Sequence, residues 1–395
     1  MWEDINMKIL YLAEKYPYPA TTGISLISSQ LLKNLSPADF EIDLWYLAEK
    51  KAPESSEFHC ITKSLFFKID KASLIKYYFS DESLPWGMLK YYSAGLKQKL
   101  AVTDLANKYD FVYLDSPFLA FYKKYITDLP IILNSVDDIQ AWFQQSKKSA
   151  TSALRRWHFK QENKKYANFE KNYFSKFSKL IFVADKDRLG VINRGLDENK
   201  TLTIPLGVDT EYFQPQENKT PPAIITTGNM AYLPNQEGVS YFAKNIWSKL
   251  SRRNPELKWY IVGKDPSPKI QQLMKNKNII VTGFVEDMRE YFAKAQIVVS
   301  PLQSGTGTKI KILEALALGK AIVASKPSID GIPELTGEEL LIAKNPDEYI
   351  NFIERLLTDA RIRAEYQARA RQFIIENYSW KKSINLYEEI FKNYA

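Results

Sequence analysis

Two lysines, an acid and a pair of glycines stand close together late in the 395-residue chain: Gly305, Gly307, Lys309, Lys311 and Glu314. They lie in the run Ser300-Pro-Leu-Gln-Ser-Gly-Thr-Gly-Thr-Lys-Ile-Lys-Ile-Leu-Glu-Ala-Leu-Ala-Leu-Gly-Lys-Ala-Ile-Val-Ala324, which follows an apolar segment at 297–299. After the glycines, Ile310, Leu313, Leu316 and Ala317 recur at helical spacing, Gly319 stops the helix, and 321–324 reads as a buried strand. A helix start offers N–H groups without intrahelical partners and the positive end of the helix dipole, so it suits an anion such as phosphate. Lys309 and Lys311 add full positive charges, and Glu314, about one turn inside, is placed to accept from ribose hydroxyls. The chemistry this set can do is to hold a nucleoside diphosphate. An ordinary loop before a packed helix has the same local pattern, so the spacing alone leaves both readings open.

The elements that must position these residues alternate between buried strand and amphipathic helix. Residues 8–12 read as a first strand, followed by a loop ending at Gly23 and a helical run through Ile24, Ile27, Leu31, Leu32 and Leu35. Further strands are expected at 42–47, 111–114, 131–133 and 180–184, then at 223–227, 259–262, 279–282 and 297–299. That alternation predicts doubly wound α/β domains, in which ligands gather beyond the carboxyl ends of the strands. Four candidates follow from this rule. Gly23 either lets the backbone approach a ligand or belongs to a helix-capping turn. Asp137 and Asp138 end an apolar strand, where a carboxylate either orients or deprotonates a hydroxyl or caps the helix from Ile139. Gly228, followed by Asn229, repeats in a second domain the strand–glycine–helix logic of the first.

Gly-Thr-Lys-x-Lys-x-Leu-Glu-Ala-Leu-Ala-x-Gly-Lys-x-Ile-Val-Ala resembles the donor-site segment of the retaining GT-B glycosyltransferases, the group 1 (family 4-like) transferases, in their bacterial sugar-transferase subgroup. The same resemblance runs through Ile204-Pro-Leu-Gly-Val-Asp to Pro215, through Gly228-Asn-Met with Pro234-Asn235, through 279–287 and through Ser328-Ile-Asp-Gly-Ile-Pro-Glu334. It implies two facing Rossmann-like domains with an interdomain cleft: 1–205 on the acceptor side, joined by a C-terminal helix at 380–395, and 206–379 binding the nucleotide sugar. It implies transfer of a sugar from a UDP- or GDP-linked donor to an acceptor hydroxyl, with retention of configuration and no metal or separate cofactor. The donor-binding residues it implies are Gly23, Gly228, Asn229, Phe284, Val285, Ser304, Gly305, Thr306, Gly307, Thr308 and Glu314. Catalytic work falls to Lys309, Lys311, Asp137 and Asp138. The chain departs from the pattern twice: Thr306 stands where relatives carry a further glutamate for the sugar, and Asn229 where many carry an arginine for the diphosphate.

Composition narrows the field. With 45% hydrophobic and 25% charged residues the chain reads as globular, and no apolar run is long enough to span a bilayer. One cysteine and two histidines leave neither an intramolecular disulfide nor a thiolate or imidazole metal site to expect, and fit a cytoplasmic setting. The net charge of +8 is concentrated: ten Lys/Arg against two Glu fall between Lys147 and Lys179. That basic segment, and an aromatic, lysine-rich stretch from 65 to 100 (Phe66, Phe67, Tyr77, Tyr78, Phe79, Trp86, Tyr91, Tyr92), raise peripheral contact with an anionic membrane; solvated helix faces and core packing are the plainer readings. A nucleotide-sugar epimerase on the same fold and a non-catalytic nucleotide-sugar-binding scaffold remain as alternatives. A nucleic-acid binder ranks below them, because the aromatics of the basic segment follow a buried stripe.

Overall fold

The computed structural model describes residues 6–70, 84–150, 152–216, 222–304 and 309–394, and the chain divides into two units, Met1–Pro205 with Ser383–Ala395, and Leu206–Lys382. In the first unit the apolar runs become β1 (Met7–Ala13), β2 (Phe40–Ala48), β3 (Ile61–Lys68), β4 (Phe111–Leu114), β5 (Ile131–Val136), β6 (Lys179–Phe182) and β7 (Thr201–Thr203). They form one parallel sheet in the order β3-β2-β1-β4-β5-β6-β7. The order reverses between β1 and β4, the switch point where such sheets open a crevice at their carboxyl edge.

Side chains alternate across this sheet, as the two-residue period of a strand demands. Leu10, Leu12, Val112, Leu114 and Leu133 face a core that includes Met88, Leu96, Phe121 and Phe169. Tyr113 and Phe111 face the other way and meet the last helix, Trp380–Lys392: Phe391 lies 5.0 Å from Phe111 and 5.5 Å from Tyr113, centroid to centroid. The tail of the chain thus closes one face of the first sheet. Aromatics of the 65–100 stretch take the plainer reading and pack inward. Phe66 packs on Tyr46, Phe67 on Trp45 and Tyr91 on Phe118, while Tyr92 is buried. Tyr77, Tyr78 and Phe79 lie outside the described residues. No helix among the described residues is long and apolar enough to cross a membrane.

The second unit holds β8 (Ala223–Thr227), β9 (Lys258–Val262), β10 (Ile279–Gly283), β11 (Ile297–Ser300), β12 (Ala321–Ala324) and β13 (Leu341–Ile342), all parallel in the order β10-β9-β8-β11-β12-β13. One face packs Ile224, Trp259, Val299 and Val323 against the helices Leu233–Phe242 and Pro346–Thr358. The other packs Ile225, Val262, Val298 and Ile322 against Leu313 and Leu316 of the helix Ile310–Ala317 and Phe373 and Ile374 of Ala360–Asn377. Its switch point lies between β8 and β11, so the loop after β11 rises beside the end of β8.

Removing the ring that closes the first sheet is costly. Phe391→Ala leaves a cavity against Phe40, Phe111 and Tyr113, and should destabilise the first unit by about 3–5 kcal/mol in urea unfolding, with Phe391→Leu costing far less.

Candidate functional site

Three glycines end three neighbouring strands at the carboxyl edge of the second sheet: Gly228 after β8, Gly263 after β9 and Gly283 of β10, with φ of 146°, 151° and 72°. At the first two the reason is space. A Cβ on Gly263 would sit 1.8 Å from the carbonyl oxygen of Gly228, and one on Gly228 2.7 Å from the Asn235 amide nitrogen. Only glycine allows these backbones to approach and so to make a flat edge. Above it the Asn235 Nδ2 donates to the Asn229 carbonyl (2.8 Å), and the Asn235 Oδ1 accepts from the Lys311 Nζ (2.9 Å). One amide side chain therefore ties the β8 turn to the helix that carries the lysines. Asn229 folds its own turn, its Oδ1 accepting from the Ala231 N–H at 2.9 Å.

The helix Ile310–Ala317 begins directly after Lys309, its N-cap residue, which is itself buried. Burial and the Lys309 charge beside it bring the Lys311 ammonium down to about 8. Burial also pushes the Glu314 carboxyl up to about 7, and no ion pair joins it to Lys311. Two adjacent cations and a half-protonated acid on one helix end are a poor way to stabilise an empty protein and a good way to receive a diphosphate and its ribose. The approach to this helix is fixed from below. Ser300, Ser325 and Ser328 bond to one another at the ends of β11 and β12, the Tyr349 hydroxyl donates to the Ser300 carbonyl (3.2 Å), and the Gly238 helix packs directly on the Pro301 carbonyl. Ser304 is exposed, its hydroxyl 3.4 Å from Glu237. Gly305, Thr306, Gly307 and Thr308 lie outside the described residues. Phe284, 73% exposed, stands just past the carboxyl end of β10 at the sheet edge, and Val285 packs into the core beside it.

In the first unit Gly23 opens the helix Gly23–Asn34 with free space around its Cα, and Thr22 and Ser25 form a capping box there. Asp138 takes the helix-capping place that was its other reading. One oxygen accepts the Ala141 N–H as helix N-cap, and both accept from the Arg194 guanidinium at 2.8 Å, which also grips Glu170 at 2.8 Å. A carboxylate so fully bonded and buried is structural. Asp137 beside it is exposed on one side. Crowding by protein on its other sides, with the Asp187 and Asp138 charges, raises its carboxyl to about 6. It follows Val136, whose φ of 63° is strained for a β-branched residue and whose turn is closed by the Asp137 N–H donating to the Ser135 carbonyl (2.7 Å).

Two acids that the sequence reading passed over occupy the switch point of this sheet. The Glu14 N–H donates to the Asp115 Oδ1 (3.0 Å) and the Ser28 hydroxyl to Oδ2 (3.1 Å). Burial, then the neighbouring Glu14, holds Asp115 well above the usual carboxylate range, and burial raises Glu14 too. Glu14 Oε2 and the Asn134 amide are buried without a partner among the described residues. The available signal was an acid immediately after each of two apolar runs, at 8–13 and 111–114.

Two parallel-stranded Rossmann-like units, the second with a cationic helix start over a glycine edge, give the chain the GT-B fold. Residues 221–359 match the family model of the glycosyl transferases group 1. The chain is 22% identical to a Klebsiella pneumoniae protein described as an uncharacterized 44.6 kDa protein in the cps region, across 98% of this chain and 99% of that one. It is 31% identical to the lipopolysaccharide 1,2-N-acetylglucosaminetransferase of Salmonella typhimurium over 28% of this chain and 29% of that one. The fold matches the crystal structure of Anabaena HepE in complex with UDP with a TM-score of 0.65 at 14% identity, covering 98% of this chain and 100% of that one.

The Arg194 clamp is directly testable. Arg194→Ala leaves two buried carboxylates facing each other and should destabilise the first unit by about 3–5 kcal/mol in denaturant unfolding. Arg194→Ala combined with Asp138→Asn should recover part of that loss.

Proposed function

We propose that the protein transfers a hexosyl group from a UDP- or GDP-linked sugar to the hydroxyl of a glycan, lipid-linked or small-molecule acceptor, with retention of configuration and without a metal ion. One observation carries this reading: Lys309 and Lys311 lie side by side at the start of an anion-favouring helix, over a glycine-built strand edge. As the glycosidic bond to the donor breaks, negative charge grows on the leaving diphosphate. Cations fixed in advance in a site with little water stabilise that charge more than they stabilise the ground state. Glu314 accepts from the ribose hydroxyls, Phe284 and Val285 contact the base, and the 304–308 segment, with Thr306 in place of an acid, contacts the phosphates and the sugar. HepE has been solved with UDP and with UDP-glucose, which favours a uridine donor. Asp137, on the first unit, is the side chain best suited to orient the acceptor hydroxyl. The reading carries a cytoplasmic setting, which the buried free thiol of Cys60 suits.

Incubation with UDP- and GDP-sugars should release free nucleoside diphosphate and a glycosylated acceptor rather than an epimerised donor. Lys309→Ala or Lys311→Ala should lower turnover about a hundredfold. Unchanged turnover in both would overturn the assignment.

Lys311 also sets a pH dependence. A diphosphate binds the protonated amine, so UDP affinity in calorimetry should fall above about pH 8, by up to tenfold per pH unit. Lys311→Arg should remove that fall. The sign for folding is opposite. The folded state holds this amine below its ordinary value of 10.5, so the empty unit gains stability as pH rises from about 8 through 10.5.

A further inference from the structure

The helix Leu233–Phe242 carries a single acid, Glu237, and nothing local explains it. The first turn of that helix holds no acid, so Glu237 lies past the part of the helix where the dipole favours a negative charge. The positions three and four residues to either side are Leu233, Pro234, Ser240 and Tyr241, none of them a cation. Glu237 is exposed, and among the described residues its carboxylate is joined by one hydrogen bond, from the Ser304 hydroxyl to Oε2 at 3.4 Å, and by no ion pair.

That one bond decides where the acid stands. The Asn235 Oδ1 accepts from the Lys311 Nζ at 2.9 Å, and a Cβ on Gly238 would lie 2.9 Å from the Pro301 carbonyl oxygen. Asn235 and Gly238 are buried and register the helix against the donor loop, while Glu237, between them in sequence, is on the open side. Its carboxylate therefore stands just ahead of the segment 305–308, whose sequence Gly-Thr-Gly-Thr supplies no acid of its own.

An unpaired carboxylate here works against a diphosphate, because it repels what Lys309 and Lys311 attract. Its use must lie with another part of the ligand. A carboxylate only accepts, and beyond its diphosphate a nucleotide sugar offers hydroxyl donors on two sides, the ribose and the sugar. Along the chain the lysines at 309 and 311 fall between Glu314, placed for the ribose, and Ser304, which holds Glu237. Acid, cations and acid thus repeat the order of sugar hydroxyls, diphosphate and ribose hydroxyls in such a donor.

We propose that Glu237 binds the sugar of the donor, its carboxylate accepting from hydroxyls of the hexosyl group while Ser304 holds it in place. This rests on the transferase reading and names a side chain that contacts the transferred group.

The test is calorimetry on the whole chain with UDP, UDP-glucose and UDP-galactose, and with GDP and GDP-mannose. The quantity read is the affinity for a nucleotide sugar relative to that for its bare nucleotide. Glu237→Ala should lower this ratio about tenfold, the scale of losing a charged hydrogen bond, while affinity for the bare nucleotide is kept or raised. Glu237→Gln retains an acceptor oxygen without the charge and should lower the ratio less. Ser304→Ala should lower it slightly in the wild-type background and not at all in Glu237→Ala, since the serine acts through the acid. Glu237 is exposed, so the thermal midpoint of the empty protein should not move. An unchanged ratio in Glu237→Ala would overturn the proposal. So would an equal fall for UDP and UDP-glucose, which belongs to a phosphate- or metal-bridging role. A wild-type protein that binds none of these nucleotides would overturn the transferase reading and this assignment with it, whereas an unchanged ratio on a protein that binds UDP removes this assignment alone.

Discussion

Two ammonium groups held next to each other in a nearly dry site repel, and both lose hydration. Lys309 and Lys311 are in that position, and burial, then the Lys309 charge, brings Lys311 down to about 8. Much of the second unit can be understood as the means of doing so. The helix that carries them has Ile312, Leu313, Ala315 and Leu316 fully buried, so its position is set by apolar packing rather than by the charged end. Asn235 adds a dipole to the Lys311 amine without adding a negative charge. An acid in that place would have neutralised the site and made it more stable. A neutral acceptor orients the amine and leaves the charge for the ligand.

The glycine edge follows from the same need. N–H groups can face a bound anion only if no side chain stands between, and the closeness of Gly263 to Gly228 shows how little room the strand ends leave. The cluster of Ser300, Ser325 and Ser328 then satisfies buried backbone carbonyls where the sheet gives way to the loop, with hydroxyls that can both donate and accept.

Which parts of this were legible in the sequence depends on distance along the chain. Strands buried on both faces, such as β1, β4, β8 and β11, are continuous apolar runs and announce themselves. β3 and β7 did not. They are the edge strands of their sheet, and Ile61–Lys68 carries Lys63 and Lys68 where an inner strand would carry aliphatics. Lys309, Lys311 and Glu314 fall on one short helix, so spacing alone sets them on adjacent turns. Asn235 reaches Lys311 across 76 positions, Arg194 reaches Asp138 across 56, and Asp115 meets the Glu14 N–H across 101. No local pattern encodes such partners, which is why Asp138 looked available and Glu14 and Asp115 went unnoticed.

The fate of each acid follows from whether a cation reaches it. Around Arg194, two carboxylates and a planar fork of donors satisfy one another, and the result is a fixed strut between the helix Ala153–Tyr173 and the strand β5 turn. Asp137, one residue earlier, has only like charges for neighbours and is driven part-way to its neutral form. Burial holds Asp115 well above the usual carboxylate range and raises Glu14 too, with the Lys15 charge opposing it in both. Adjacent positions in one chain therefore differ in their partners, Asp138 held by a guanidinium and Asp137 beside like charges, and the geometry of Arg194 draws the boundary. Because that guanidinium engages Asp138, Asp137 is the carboxyl that the strained turn at Val136 leaves among like charges.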